Sequence, residues 1–266
     1  MNSEPSRDSG IEWVLDDAVG RIVLDRPEQA NALGLDAARG LVRAIDEVTG
    51  AAPRVIVIAA RGPIFCAGGD IQEFVAQSER LSPLIAEVLE LLLPAYLKLA
   101  GVGCPVVSVV NGPVGGAGIG LALVADFVLA STTMKLRTGY AAIGLAPDVG
   151  ASYFLARRIG AVKAQRWLMT SDPVSAQACL AAGAVDELHA PGDLNAAAEA
   201  LVQRLRRSAP RSLAAIKRLC REFGTLGLAE HVALERQLLE DCARTADARE
   251  GVRAFVEKRA PRFQGP

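Results

Sequence analysis

Histidine is nearly absent from this chain. Among 266 residues there are two, His189 and His231. Neither has a serine or cysteine relay in view, so both are read as solvent-facing, and histidine-assisted nucleophilic catalysis has no support. The five cysteines (Cys66, Cys104, Cys179, Cys220, Cys242) are odd in number, scattered and without a CxxC pair. That argues against a disulfide framework or a zinc site, and they are read as reduced thiols that pack as small apolar groups. An excess of charge is missing too. Lys and Arg number 29 against 30 Asp and Glu, for a net charge of −1, so nucleic acid is not an expected partner. No uninterrupted apolar run reaches the length of a membrane span. The richest, IAEVLELLLPAYLKLAGVG, carries glutamates, a lysine and a proline. The opening MNSEPSRDSG has no apolar stretch of secretory-signal type. The expectation is a cytoplasmic protein with no membrane partner.

What the chain has is apolar content, 51% of its residues, enough for a substantial core. IEWVLD (11–16) and GRIVLD (20–25) read as a hairpin. In GLDAARGLVRAIDEVTG, residues Ala38, Leu41, Val42, Ile45 and Val48 recur at helical spacing. RVIVIAA, CPVVSVV and DFVLAS read as buried strands. Residues 82–100 read as a helix that Pro94 kinks or splits. Strands alternate with helices through about residue 190, which indicates an α/β fold. From about 192 onward the strand signal disappears and four helical stretches follow. The chain divides on this reading into a core, 1–191, and a helical segment, 192–266.

Two stretches carry an unusual density of glycine: FCAGGD (65–70) and NGPVGGAGIGLALVAD (111–126). A glycine inside a helix costs roughly 1 kcal/mol against alanine, so crowding them at a helix start needs a reason. Each follows a buried strand and precedes a helix, with Asp70 placed as a cap. Glycine lets a ligand approach the backbone closely, and the first amides of a helix are unpaired. Both stretches could be plain tight turns or a phosphate cradle. They could also converge to present two backbone N–H donors to one oxygen. The spacing of GGAGIG does not fit a dinucleotide fingerprint.

Taken together, FCAGGD and CPVVSVVNGPVGGAGIGLALVADFVLAS resemble the crotonase, or enoyl-CoA hydratase/isomerase, superfamily. IVLDRPEQANALG, SAQACLAAGAVDEL and FVEKRAPRFQG extend the likeness over almost the whole chain. The resemblance implies a spiral of ββα units with a helical C-terminal assembly segment. It also implies an acyl-CoA thioester as substrate, no cofactor beyond that CoA, no metal, and a homotrimer or dimer of trimers. It puts the oxyanion-holding amides on Gly69 and Ala117. Ala67, Asp70, Ile71, Gln72 and Gly116 then border the thioester, while Arg26, Phe255 and Lys258 reach toward the CoA nucleotide. Gln72 replaces a lysine frequent in relatives.

Hydratases of this superfamily set two glutamates across the double bond. The resemblance places those positions at Gly120 and Tyr140, so neither acid is present. Tyr140 is read as apolar lining in preference to a hydroxyl donor. Asp148, in IGLAPDVG, is the acid that remains. It could cap a helix over 149–158. The stretch also resembles the branch whose aspartate moves a proton between carbons, in dienoyl-CoA isomerases and, more closely, in isomerases of a ring-epoxide thioester in phenylacetate breakdown. Ile143, Leu145 and Phe154 are candidates for an apolar wall that would raise its proton affinity. The reading is an acyl-CoA isomerase. The alternatives are a hydratase-like enzyme with atypical acids and a catalytically silent acyl-CoA binder.

Overall fold

The computed structural model describes residues 4–265 of the chain. In order these form β1 (Ser6–Asp8), β2 (Ile11–Asp16), β3 (Val19–Leu24), α1 (Leu35–Gly50), β4 (Val55–Ala60), α2 (Ile71–Ala76) and α3 (Leu81–Gly101). Then come β5 (Val106–Val110), β6 (Val114–Gly115), α4 (Ala117–Leu123), β7 (Phe127–Ser131), β8 (Lys135–Arg137), α5 (Ala151–Ile159) and α6 (Ala161–Thr170). β9 (Val174–Ser175), α7 (Ala176–Ala182), β10 (Glu187–His189), α8 (Leu194–Arg206), α9 (Pro210–Glu222), α10 (Leu228–Ala243) and α11 (Ala246–Val256) complete it.

Seven strands make the main sheet in the order β1-β2-β3-β4-β5-β7-β10. β2 and β3 form the expected hairpin, with Ile11 opposite Leu24 and Asp16 opposite Val19. Pairing from β3 through β10 is parallel. Such a sheet is buried on both faces, and β4 shows how the period of two serves it. Ile56 and Ile58 join the cluster under α1 and α3, while Val55 and Val57 join a second cluster under α8. β1 lies in the polar N-terminal run, where no apolar alternation announces it.

Pro94 does not split its helix: α3 runs unbroken through it. The carbonyl that loses its partner belongs to Glu90, on the exposed side of the helix, where water can replace the bond. The change from strand-bearing to helical sequence near residue 192 is not where the packing changes. α8 buries Leu194, Leu201 and Val202 against Val57, Val107 and Leu129 of the sheet, so it is part of the core. The character changes after it, because α9 and α10 contain no buried residue.

A small second sheet, β6-β8-β9, sits at the chain's second glycine turn. The pairing Gly115↔Arg137 fastens that turn to the segment leading to Asp148. The loop after β3 fastens the first turn. Asn31 is buried; its side-chain amide donates to the carbonyls of Arg61 (3.0 Å) and Ile64 (2.8 Å) and its oxygen accepts from the Arg26 N–H. The Leu33 N–H then donates to the Gly68 carbonyl at 2.7 Å.

Candidate active site

The two glycine turns meet. A side chain added at Gly68 would bring its Cβ within 3.0 Å of the Gly115 carbonyl and 3.2 Å of the Ala117 nitrogen. One added at Gly116 would come within 3.9 Å of the Gly69 nitrogen. Gly68 and Gly116 also have φ of +104° and +47°, which L side chains rarely adopt. The amides of Gly69 and Ala117 have no acceptor among the described hydrogen bonds. Two free donors therefore stand beside one small space.

That space opens into a cavity of about 680 Å³. Ala67, Gly69, Ile71, Gly116 and Ala117 line one side. Phe74, Ile85, Leu89 and Leu93 of α2 and α3 line a second, and residues 137–140, Ile143 and residues 145–150 line a third. Ile85, Leu89 and Leu93 follow one another at i, i+4, so a single helix face supplies this apolar wall. Periodicity alone assigns such a stripe to the core, which is why sequence reasoning missed it. Arg137 and Thr138 were missed as well; neither stands in a glycine turn or a recognisable motif.

Asp148 is the only carboxylate lining the cavity among the described residues. Burial raises its pKa above the ordinary carboxylate value, and hydrogen bonds from Tyr140 and from its own backbone oppose the rise without cancelling it. Tyr140 is buried, and its hydroxyl donates to Asp148 Oδ1 at 2.8 Å. Tyr140 is thus a hydroxyl donor as well as lining, contrary to expectation. Burial and the adjacent carboxylate both push its phenol far above the ordinary range. Nor does the Asp148 side chain cap the following helix. Its carbonyl accepts from the Ala151 N–H at 2.8 Å, while Gly150 stands at the N-cap with no side-chain bond. The carboxyl is left for the cavity.

Val149 follows with φ of +36° and is buried. A β-branched residue there is a genuine outlier, and such strain costs of order 1–3 kcal/mol. Gly120 explains how the conformation is held. A Cβ at Gly120 would lie 2.3 Å from the Val149 carbonyl oxygen. The helix α4 has no side chain at that point, and the strained loop occupies the room.

Of the residues expected on substrate, Gly120 does not line the cavity; it is buried inside α4 against Val149. Asp70 caps α2, accepting from the N–H groups of Gln72 (3.0 Å) and Glu73 (3.1 Å), and so fixes the end of the first turn. Gln72 is exposed. The Arg26 backbone is tied to Asn31 and its guanidinium to Gln29. None of these lines the cavity, and neither do Phe255, 86% exposed, and Lys258. Ile143 and Leu145 form part of the wall as expected. Phe154 does not. It faces a second cavity of about 870 Å³ between α3, α5 and α9, which shares only Leu93, Val149 and Gly150 with the first. His189 and His231 are half-buried, not solvent-facing, each beside a glutamate, Glu187 and Glu235.

Among the described residues no cluster of metal-ligating side chains is present, and no helix is long and apolar enough to cross a membrane. Residues 15–266 match the family described as enoyl-CoA hydratase/isomerase. The chain is 32% identical to a trans-2-decenoyl-(acyl-carrier-protein) isomerase of Streptococcus mutans, over 96% of this chain and 98% of that protein. It is 29% identical to the 1,2-epoxyphenylacetyl-CoA isomerase of Escherichia coli, over 96% and 99%. The crystal structure of an enoyl-CoA hydratase from Polaromonas superposes with a TM-score of 0.88 at 30% identity, covering 96% of this chain and 99% of that one.

Proposed function

The chain belongs to the enoyl-CoA hydratase/isomerase family, and from that premise we propose that it is an acyl-CoA isomerase with Asp148 as its one catalytic base. The observation that carries this reading is the solitary carboxylate in a cavity that also holds the unpaired Gly69 and Ala117 amides. Hydration needs one group to activate water and another to protonate carbon. Here the two positions at which the resemblance to hydratases implies glutamates are Gly120, packed inside a helix, and Tyr140, bonded to Asp148.

An allylic shift needs only one base. Asp148 removes a proton from C2 of a 3-enoyl thioester, and the C–H electron pair moves into the thioester carbonyl. The resulting oxyanion is held by the Gly69 and Ala117 N–H groups. A single such donor contributes about 2.7–4 kcal/mol to transition-state stabilisation. The carboxylic acid then returns its proton to C4, the electrons flow back, and the double bond lies between C2 and C3. Burial suits the Asp to both steps, because a raised pKa makes the carboxylate a stronger base while the acid remains a donor. A ring-epoxide thioester would use the same base and donors. CoA enters as part of the substrate, so no further cofactor takes part. Phe255 and Lys258 contact the nucleotide from a neighbouring copy in a trimer, which accounts for an 86% exposed phenylalanine.

Asp148→Asn tests the reading. It keeps the size of the side chain and removes the base. Double-bond migration and water addition are followed separately in both proteins. The natural protein should isomerise briskly and hydrate 2-enoyl-CoA weakly, and the variant should bind thioester without isomerising it. Brisk hydration by the natural protein, or undiminished migration by the variant, refutes the assignment.

A further inference from the structure

We infer that Tyr140 is a positioning residue for this reaction: its hydroxyl occupies Asp148 Oδ1, so that the substrate proton is exchanged through Oδ2, and it keeps the carboxylate ionised at the pH of turnover. The inference rests on the Asp148 assignment above.

The bond is 2.8 Å long with the phenol as donor. An ionised carboxylate oxygen is a stronger acceptor for the phenol than a neutral carboxyl, so the contact favours the ionised form. Tyr140 is itself held in place. It is 6% exposed, and the Leu145 N–H donates to its carbonyl at 3.0 Å. The 3-10 turn Ala141–Ile143 begins at its C-terminal side. The phenol therefore reaches Asp148 from a fixed backbone, across a loop of seven intervening residues. A wall residue chosen only for bulk needs no hydroxyl. A hydroxyl aimed at the one carboxylate in the cavity constrains that carboxylate's rotation and its charge.

The buried titratable groups beside Asp148, Cys66 and Tyr96, carry no compensating charge. Cys66, at the first glycine turn, is buried, and its thiol is pushed up to about 12. Tyr96 of α3 is also buried, its phenol raised well above its ordinary value by burial and by Cys66, Asp148 and Tyr140, and its hydroxyl has no partner. Both are neutral at physiological pH. Arg137, on the cavity wall, is exposed. Against the burial that raises Asp148, the Tyr140 hydroxyl is the largest opposing influence. Removing it leaves burial less opposed, and the Asp148 pKa moves further up.

The test compares pH–rate profiles of isomerisation for the natural protein and Tyr140→Phe. The base must be ionised to act, so activity falls on the acid side as Asp148 takes up a proton. In the variant that acidic limb should move upward by about one pH unit, about a tenfold loss of kcat on its acid side. KM should change little, and activity should recover at higher pH. Carbon-13 NMR of the Asp148 carboxyl should report the same shift without substrate. A residue serving only as packing would leave both titrations where they were, and that result overturns the inference. Should Tyr140→Phe fail to fold, the chain's other two tyrosines can be removed as Tyr96→Phe and Tyr153→Phe. 3-Fluorotyrosine then enters at position 140 alone. As a stronger donor it should move the limb downward, and an unmoved limb overturns the inference equally. Asp148→Asn separates the two readings. If it retains full activity, the base assignment fails. If it is inactive while Tyr140→Phe titrates normally, only the role of Tyr140 fails.

Discussion

The two glycine turns and the Tyr140–Val149 loop face one another across a single cavity, and they are built on opposite principles. The turns offer backbone. Their geometry comes from close approach, with Gly68 against Gly115 and Ala117, and from ties such as Leu33 N–H to the Gly68 carbonyl. In the proposed mechanism no side chain of theirs reacts, so an alanine can stand at position 117 and still present its N–H. The loop offers a side chain. It is held by the Tyr140–Asp148 bond and by a valine in the left-handed region, and each of these depends on residue identity. The contrast teaches that one half of the site is specified by what residues lack and the other half by what they carry.

The sharpest way to break the comparison is to remove a donor from the turns. Among the described residues the Gly69 N–H is tied into no bond of the fold, so Gly69→Pro removes the proposed oxyanion donor without removing a hydrogen bond of the fold. Turnover should fall by roughly 10²–10³, measured on protein whose circular dichroism is unchanged. Full turnover in the folded variant would leave the turns without a catalytic part.

Gly120→Ala tests the other half without touching the cavity. Its Cβ would meet the Val149 carbonyl at 2.3 Å, so the loop has to give way. Displacement of a reacting group by an ångström costs about 10²-fold in rate, and a loss approaching that is expected with thioester binding retained. An unchanged rate would mean that the loop relaxes without moving Asp148.

The smallest effect is on stability. The folded-state pKa of Asp148 is raised, so its stabilising contribution is complete below the ordinary carboxyl value and is lost as pH rises through the raised one. Above that window the buried charge destabilises the fold. Asp148→Asn should therefore raise Tm at neutral pH by a few degrees and show no such gain at acid pH. A gain that is the same at both pH values would show that desolvation of the charge is not its source.

The turns were legible in the sequence because their signal is dense and local: five glycines between Gly112 and Gly120 cannot be explained by helix propensity. The main sheet was legible from apolar runs, and Asp148 from its place in the family motif. Three features were not. The Tyr140 hydroxyl bond depends on a loop conformation that no spacing rule encodes. The wall formed by Ile85, Leu89 and Leu93 has the same period as any buried helix face. α8 joins the sheet through tertiary packing, which a change from strand to helix composition near residue 192 does not report. Phe154 is the reverse case: it lies near Asp148 in sequence, but α5 turns it toward the second cavity.

The contact between Gly120 and Val149 also limits what position 120 can hold. Any side chain there and the loop carrying Asp148 compete for the same volume, because its Cβ would lie 2.3 Å from the Val149 carbonyl oxygen. A second acid therefore cannot be added at 120 by substitution alone: the loop has to withdraw to make room, and Asp148 is carried on that loop. In this chain the place of the one cavity carboxylate is kept by a side chain that is missing from the neighbouring helix.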